Sequence, residues 1–254
     1  MLVDLKNWLI FQKDIFGEEF YTDNFDKDMI LNKLKEKSEY IENPVKEEKI
    51  FKINFKKNAK SVNLQWYNSK SLDELNNCIK TCMECSLGKT RKNFVFGVGN
   101  PNADILIIGE APGADEDEQG EPFVGRAGQL LNKMLESIQL KRSDVYIANI
   151  IKCRPPNNRR PTSEEINECE PYLQKQIEII KPKIILALGL TAVSSLLKMD
   201  FKMSDIRGSL LDYRGIKMII TYHPAALLRN PTWKRAAWED LKLLKETYLN
   251  FINK

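Results

Sequence analysis

The sequence predicts an α/β protein: a three-layer α/β/α sandwich with a four-stranded parallel sheet, preceded by an N-terminal extension. Three observations support this fold class. Four short runs are rich in β-branched and aliphatic residues, each run is mostly apolar, and helix-like segments lie between them. Such strands are typical of a parallel sheet covered by helices on both faces. The predicted strands are residues 104–109, 145–151, 183–188 and 216–222, and the predicted helices are residues 127–138, 163–180, 190–198 and 232–251.

The chain divides into two parts of different composition. Residues 1–70 contain long stretches rich in Lys, Glu, Asp and Asn with little sustained periodicity, so we interpret them as a weakly ordered extension. An amphipathic helix near residues 5–16 and one strand at residues 51–55 are the elements that this region predicts. Residues 71–254 form the predicted folded domain. Thr162 or Ser163, with Glu165 close behind, is the expected start of its second helix.

Length and composition limit the class of protein. With 254 residues, 43% of them hydrophobic, the chain has room for one sizeable α/β domain and an appendage. Its net charge of +4 is compatible with nucleic-acid binding but does not demonstrate it. No apolar run is as long as a membrane span, and Asp4 lies where a signal peptide has its apolar core. We therefore expect a cytoplasmic protein, and we expect a monomer.

The segment from Gly109 to Gly128 is the most informative part of the sequence. It holds five glycines and two prolines between a predicted strand and a predicted helix, so its backbone can approach a ligand closely. Open α/β sheets bind their ligands at the carboxyl ends of the strands. The four predicted strand ends therefore define one crevice. The residues at or near these ends are Glu110, Asn149, Gly189 and His223.

Four of the five cysteines are candidate metal ligands. Cys82 and Cys85 form a CxxC pair, and Cys153 and Cys169 follow at a distance. His223 is the single histidine of the chain, which excludes a zinc site with two His ligands. A zinc ribbon usually has two CxxC pairs, whereas an iron–sulfur cluster held by four cysteines tolerates scattered ligands. The alternative is that these cysteines are small core residues, but the charged neighbours of Cys153 and Cys169 disfavour it.

Cys78 permits a second interpretation of the cysteines. Cys78, Cys82 and Cys85 spell CxxxCxxC, the spacing of radical-SAM enzymes. In those enzymes the motif lies in a loop of a βα barrel. Here the residues before Cys78 look helical, and the chain has too few βα units for such a barrel. We therefore disfavour this interpretation, because the motif lacks its structural context.

Several motifs in a fixed order resemble the family 4 uracil-DNA glycosylases, the iron–sulfur branch of the uracil-DNA glycosylase superfamily. The similarity runs from about Cys82 to Asp240 and does not cover the first seventy residues. The resemblance implies that residues 71–254 are a catalytic domain and that Cys82, Cys85, Cys153 and Cys169 hold a 4Fe-4S cluster with a structural role. The motifs are the CxxC pair and residues 91–97, 99–101, 109–128, 149–156 and 222–231.

The resemblance also implies roles for crevice residues. Phe123 is expected to stack on a uracil extruded from DNA, since such a base must leave the helix to react. Asn149 offers an amide donor and acceptor that can distinguish uracil from cytosine. His223 is expected to face the uracil O2 atom and stabilise the negative charge of the departing base. Leu227 or Leu228 is the candidate wedge that fills the gap left by the base.

The residue that activates water is left open between acidic side chains. Better-known uracil glycosylases carry an aspartate at the position that Ala111 occupies here. The resemblance to family 4 instead implicates Glu110 and Glu116, and Asp117 is a further candidate. We expect Glu110, Ala111 and Glu116 to contribute to the substrate pocket.

Two groups of basic residues flank the predicted crevice. Such clusters are typical of phosphate contacts, which position DNA without reading its sequence. The first group follows the second predicted strand, and the second group follows the fourth. They are Lys152, Arg154, Arg159 and Arg160, and then Arg229, Lys234 and Arg235.

The sequence therefore predicts an enzyme that hydrolyses the N-glycosidic bond of uracil in DNA and leaves an abasic site. A catalytically silent DNA-binding module of the same fold, associated with replication, is the first alternative. An iron–sulfur redox protein is the second. Residues 1–70 are a candidate contact for a replication or repair partner. A related branch that becomes trapped on abasic DNA carries an extra His-containing loop, so with one histidine we expect turnover here.

Overall fold

A computed structural model describes residues 65–253. Within this part of the chain, one sheet of six strands has the spatial order β1-β3-β2-β4-β6-β5. β2, β3, β4 and β6 run parallel to one another, while the edge strands β1 and β5 pair antiparallel with β3 and β6. The strands are β1 Val98–Gly99, β2 Ile105–Gly109, β3 Tyr146–Asn149, β4 Ile184–Leu188, β5 Leu210–Tyr213 and β6 Ile216–Thr221.

The four parallel strands confirm the predicted strands to within two residues, but the predicted total of four is wrong. The missed strands are both at the edges of the sheet. β1 is only two residues long, too short to show a period. β5 is partly exposed, so it lacks the continuous apolar run of the parallel strands. The feature of the sequence that indicates β5 is the turn that follows it. Arg214 and Gly215 both have positive φ, as in a two-residue hairpin that joins β5 to β6.

Helices fill the connections between the strands, and the four predicted helices are present. Thr162 caps the helix predicted at residues 163–180: its hydroxyl accepts from the Glu165 N–H at 3.2 Å, and the Glu165 carboxylate accepts from the Thr162 N–H at 2.8 Å. This reciprocal pair satisfies two N–H groups that the helix end leaves open. The helices of the described residues are α1 Leu72–Ile79, α2 Ala114–Gln119, α3 Arg126–Ser137, α4 Ser163–Ile180, α5 Leu190–Leu197, α6 Met203–Ile206, α7 Pro224–Arg229 and α8 Lys234–Ile252.

The sheet is buried on both faces, as the apolar runs predicted. Every residue of β2, β3 and β4 is buried. Alternate positions such as Leu106 and Ile108 pack with residues of α1, α4 and α5. Ile107 and Leu186 point to the opposite face, where α3 and α8 contribute their buried residues. The α/β/α sandwich is therefore confirmed.

Two elements predicted for the extension lie outside the described residues: the helix near residues 5–16 and the strand at 51–55. The partner contact predicted for residues 1–70 also lies outside them, except for its last six residues, 65–70. In the described range no helix combines the length and apolarity needed to cross a membrane.

Candidate active site

The carboxyl ends of the four parallel strands meet at one edge of the sheet. Gly109 of β2 pairs with Asn149 of β3, and Leu188 of β4 pairs with Thr221 of β6. Gly189 follows β4 with a φ of +86°, and a Cβ atom there would lie 3.0 Å from the His223 Cβ. A side chain at this position would therefore push His223 away. The predicted meeting of the four strand ends at one edge of the sheet is confirmed.

Three side chains converge above Gly109. The rings of Phe123 and His223 lie 5.4 Å apart at 30°. A Cβ atom on Gly109 would come within 2.7 Å of the Phe123 ring and would also overlap the Asn149 amide oxygen. The absence of a side chain at Gly109 therefore allows Phe123 and Asn149 to approach the same point.

Phe123 has an unusual backbone conformation that the surrounding chain enforces. Its φ is +54°, a region that bulky residues rarely occupy. Arg142 donates to the carbonyl oxygens of Pro122 and Phe123, the latter at 3.2 Å. A Cβ atom on residue 128 would lie 1.8 Å from the Phe123 carbonyl oxygen, so glycine at this position leaves room for that carbonyl group. Strained residues of this kind persist where the structure over-determines them, often at ligand sites.

The carboxylate of Glu116 organises the other side of the same loop. It accepts from the N–H of Gly113 at 3.0 Å, of Val124 at 3.0 Å and of Gly125 at 3.1 Å. Asp117 is buried and accepts from the N–H groups of Lys92 and Asn93. Both carboxylates are thus occupied in holding backbone.

Glu110 differs from these two acids. It lies directly after β2 and is half-buried; its backbone oxygen accepts from the Ile151 N–H at 3.2 Å, but its carboxylate has no hydrogen-bond or ion-pair partner within the described residues. Ala111, beside it, packs its methyl group against the hydrophobic core. Of the acids that the sequence left open, Glu110 is the one whose carboxylate is not already committed to the fold.

His223 is held in one protonation state. Its Nδ1 atom accepts from the Ala225 N–H at 3.2 Å, so the neutral ring carries its proton on Nε2. Burial, with a contribution from the positive charge of Arg229, lowers the pKa of His223 to about 4. The side chain is therefore a neutral N–H donor near pH 7.

Asn149 is buried, and its side-chain oxygen Oδ1 has no hydrogen-bond partner in the described part of the chain. A buried amide oxygen without a donor is costly unless a ligand supplies one. The backbone oxygen of Asn149, by contrast, accepts from the Lys152 ammonium at 2.9 Å. The main chain of Asn149 is therefore fixed while its side chain stays open to a ligand.

Lys152 corrects one sequence interpretation. It was grouped with the phosphate contacts, but its side chain is completely buried and donates to Asn149 and, at 2.6 Å, to the Gln176 side chain. Burial lowers the pKa of Lys152 to about 8. Lys234 is buried as well, which removes it from the exposed basic group. The side-chain partner of Lys152, Gln176, lies 24 residues along the chain, so no local sequence pattern distinguishes this lysine from a surface lysine.

The other basic residues of the two groups are exposed, except Arg154, which is half-buried. Arg160 and Arg229 are open to solvent, while Arg159 is half-exposed and forms a bidentate pair with Glu165 at 2.6 and 2.8 Å. The two wedge candidates differ sharply. Leu227 is fully buried, whereas Leu228 is 37% exposed.

Cys82, Cys85, Cys153 and Cys169 line one cavity, whose space of ≈ 250 Å³ includes the open solvent at its mouth. Cys78 is exposed and does not line it. Donors surround the sulfur atoms: Arg91 donates to Cys153 at 3.1 Å and the Lys152 N–H donates to Cys169 at 3.2 Å. Burial raises the pKa of the Cys153 and Cys169 thiols to about 11 and about 12.

This cavity does not have the form of a single-ion site. Among the described residues, no group of three or more Cys, His, Asp or Glu side chains lies close enough to hold one metal ion. A zinc ion would require its sulfur ligands at about 2.3 Å. A four-iron cluster keeps its four cysteines farther apart, and anionic sulfur benefits from the N–H donors found here. The four cysteines and the N–H donors beside two of them fit a metal group that is held by thiolates.

Comparison with known proteins establishes the family. A sequence model of the Uracil DNA glycosylase superfamily matches residues 96–242, more than half of the chain, so the chain belongs to that superfamily. It is 46% identical over 185 residues to the Type-4 uracil-DNA glycosylase of Archaeoglobus fulgidus, covering 70% of this chain and 93% of that protein. The type-4 protein of Saccharolobus solfataricus is 47% identical over 185 residues, covering 69% and 86%. That of Thermotoga maritima is 46% identical over 171 residues, covering 66% and 89%.

Proposed function

We propose that this protein is a uracil-DNA glycosylase, which hydrolyses the bond between uracil and deoxyribose and leaves an abasic site for base excision repair. The observation that carries the proposal is the group formed by Phe123, Asn149 and His223 above the bare backbone of Gly109. It combines an aromatic face, an amide without a partner and a neutral N–H donor. The similarity of the chain to proteins named as type-4 uracil-DNA glycosylases supports the same reaction.

The substrate base would enter the pocket between these groups. Phe123 offers a ring face for stacking, at low cost because the loop already fixes its conformation. The unpartnered Asn149 Oδ1 accepts from the N3–H of uracil, and the amide nitrogen donates to O4. Cytosine has an acceptor at N3 and an amine at C4, so the same amide opposes it. Asn149 is therefore the proposed source of selectivity for uracil.

Bond cleavage leaves negative charge on the departing uracil, and His223 is the proposed group that stabilises it. The neutral ring donates from Nε2, because Nδ1 is occupied by the Ala225 N–H. A donor fixed before the reaction needs no rearrangement in the transition state. Glu110 is the proposed group that orients the attacking water, since Glu116 and Asp117 bind backbone.

Exposed basic residues would hold the DNA on either side of the crevice. Arg160 and Arg229 are exposed. The Arg159 side chain is partly exposed although it pairs with Glu165. Leu228 is the proposed wedge, because its side chain is exposed while that of Leu227 belongs to the core.

We further propose that Cys82, Cys85, Cys153 and Cys169 hold a 4Fe-4S cluster. When bound, such a cluster would cross-link the segment around residues 82–85 to the loop after β3 and to α4. Arg91 would add a charge-assisted N–H to Cys153, and it also donates to the Cys82 carbonyl oxygen at 2.7 Å. The role is structural, because the cysteines line a cavity of their own that no crevice residue lines.

An excision assay tests the proposed function. The protein is incubated with oligonucleotides that contain one uracil, one thymine or one cytosine, and hot alkali then breaks the strand at abasic sites. We expect cleavage at uracil and none at thymine or cytosine. Binding of uracil DNA without cleavage would instead support the silent DNA-binding module.

A further inference from the structure

Two aromatic rings stack beside the crevice without a role in the chemistry described above. Tyr222 directly precedes His223, and its ring lies 4.7 Å from that of Trp233 at an angle of 23°. Trp233 ends the short helical turn Pro231–Trp233, and 40% of its surface is exposed. The pair therefore joins the strand end that carries His223 to an aromatic surface open to solvent.

The pair is braced from within the protein. The Arg207 guanidinium lies 5.8 Å from the centre of the Tyr222 ring. Arg207 also pairs with buried Asp240 and donates to the Ala236 carbonyl oxygen at 2.6 Å. Asp240 in turn accepts from the Thr221 hydroxyl at 2.8 Å. The Tyr222 ring thus has a fixed support, which suits a surface that binds a flat ligand.

The surroundings of Trp233 are polar and basic. Arg229 and Arg235 are exposed on either side of it in sequence, and exposed Leu228 lies in α7, which precedes the turn of Trp233. Aromatic rings among basic side chains are typical of single-stranded nucleic-acid binding, where each base stacks on a ring and its phosphate meets a cation.

We propose that the Trp233 indole is a stacking site for a nucleobase next to the extruded uracil. The inference rests on the proposed function, because it takes DNA as the ligand. When uracil leaves the helix, its neighbours lose one stacking surface. An exposed indole, stacked on Tyr222 directly before His223, replaces that surface without displacing Leu228.

A purely internal role for Trp233 is the main competing explanation. The stack could serve only to close the loop between residues 222 and 233. A closing contact gains most from a fully buried ring, however, and this indole keeps much of its surface in water. The two explanations differ in one respect: only a stacking site depends on the neighbouring base of the DNA.

A binding cycle tests that dependence. Two fluorescent single-stranded oligonucleotides are compared, both with a tetrahydrofuran residue in place of the uracil nucleotide. In the second, both flanking nucleotides are also tetrahydrofuran, so the neighbouring bases are absent. Affinities are measured for the full chain, for Trp233→Ala, Trp233→Leu and Trp233→Phe, and for the control Tyr67→Ala. Tyr67 is another exposed aromatic residue, packed near Trp66 and Lys175.

We expect Trp233→Ala and Trp233→Leu to weaken binding of the first oligonucleotide by about 5- to 150-fold, the range of one stacked base. With the second oligonucleotide, both variants should bind within about twofold of the unaltered protein. Trp233→Phe and Tyr67→Ala should change little. Equal loss on both oligonucleotides, or no loss on either, would overturn the inference. Trp233→Leu retains apolar packing against Tyr222, so it serves if the alanine variant does not fold.

This result is separable from that of the excision assay. Tetrahydrofuran residues have no base to release, so the binding cycle does not depend on catalysis. If the unaltered protein excises uracil but the cycle shows no dependence on the flanking bases, only the stacking site is refuted. If the dependence is present without excision, the stacking site stands and the catalytic proposal falls.

Discussion

At the scale of single residues, His223 illustrates how position sets chemistry. Its pKa lies near 4 because the ring is buried and close to Arg229, compared with about 6.5 for an unperturbed histidine. His223 is the one histidine of the chain, so its NMR signal is unambiguous. We expect no titration between pH 8 and 5 and a midpoint near 4.

The same shift has a consequence for stability. Since the unfolded chain binds the proton more readily, the fold loses stability as pH falls from about 6.5 towards 4. A midpoint near 6.5 for the folded protein would show that the ring is neither buried nor fixed as described.

Glu110 and Glu116 form a matched pair for a second prediction. Glu116→Gln replaces a carboxylate that accepts three backbone N–H groups, so we expect a loss of about 1–3 kcal/mol in the free energy of unfolding. Glu110→Gln removes a charge without protein partners in the described residues, so stability should stay within about 0.5 kcal/mol. The excision rate should fall for Glu110→Gln. Thermal unfolding and single-turnover kinetics of both variants test these expectations. A stable Glu116→Gln variant together with an unstable Glu110→Gln variant would reverse the roles assigned to the two glutamates.

Candidate site residues could be recognised from the sequence where a residue type is unusual for the segment that contains it. Asn149 ends an apolar strand and Phe123 lies in a polar, glycine-rich loop, so both stood out. Arg142 and Lys152 did not, because Arg142 contacts residues 19 and 20 positions away and Lys152 contacts the Gln176 side chain 24 positions away. Arg142 holds the carbonyls of the Phe123 loop, and Lys152 links Asn149 to Gln176.

At the scale of elements, the long apolar strands and amphipathic helices were predictable because each has enough residues to show its period. The short elements were not. α2 is six residues of mostly acidic sequence, and α7 begins at Pro224 directly after His223. Their positions depend on the Glu116 and His223 contacts with backbone N–H groups, which a single sequence does not reveal.

The loop between β3 and α4 carries a prediction of its own. Arg159→Ala combined with Arg160→Ala should reduce the salt dependence of DNA binding, because each phosphate contact contributes about 0.7 to the slope on a single strand. The preference for uracil over thymine should stay unchanged, since neither arginine belongs to the crevice. Affinities measured across a salt series give the slope. A changed base preference at an unaltered slope would mean that this loop reads bases.

At the scale of the whole molecule, Lys152 joins the cysteine cavity to the crevice. Its backbone N–H donates to Cys169, and its ammonium donates to the Asn149 carbonyl oxygen. Loss of the cysteine site should therefore disturb Asn149 as well as the segment around residues 82–85. Asn149, Lys152 and Cys153 lie within five residues of one another, so one short segment that begins at the end of β3 contributes to both sites.

Iron analysis tests the cysteine site. Anaerobically purified protein should contain about four irons per chain. Alanine at Cys82, Cys85, Cys153 or Cys169 should remove the iron and lower solubility. Cys78→Ala is the matched control and should keep both, because Cys78 is exposed and outside the cavity. Fresh protein that contains zinc alone would contradict the cluster assignment.

The central claim is that the four strand ends form the active site, and His223→Ala tests it most directly. The variant removes a donor whose partner is charged mainly in the transition state, so the loss should appear in the rate of the chemical step. Single-turnover excision of uracil should slow by roughly 10²–10³-fold, the scale of one oxyanion-type donor, while affinity for uracil DNA changes little. Excision by His223→Ala at the unaltered rate would show that the crevice between Glu110, Asn149 and His223 is not where the bond is broken.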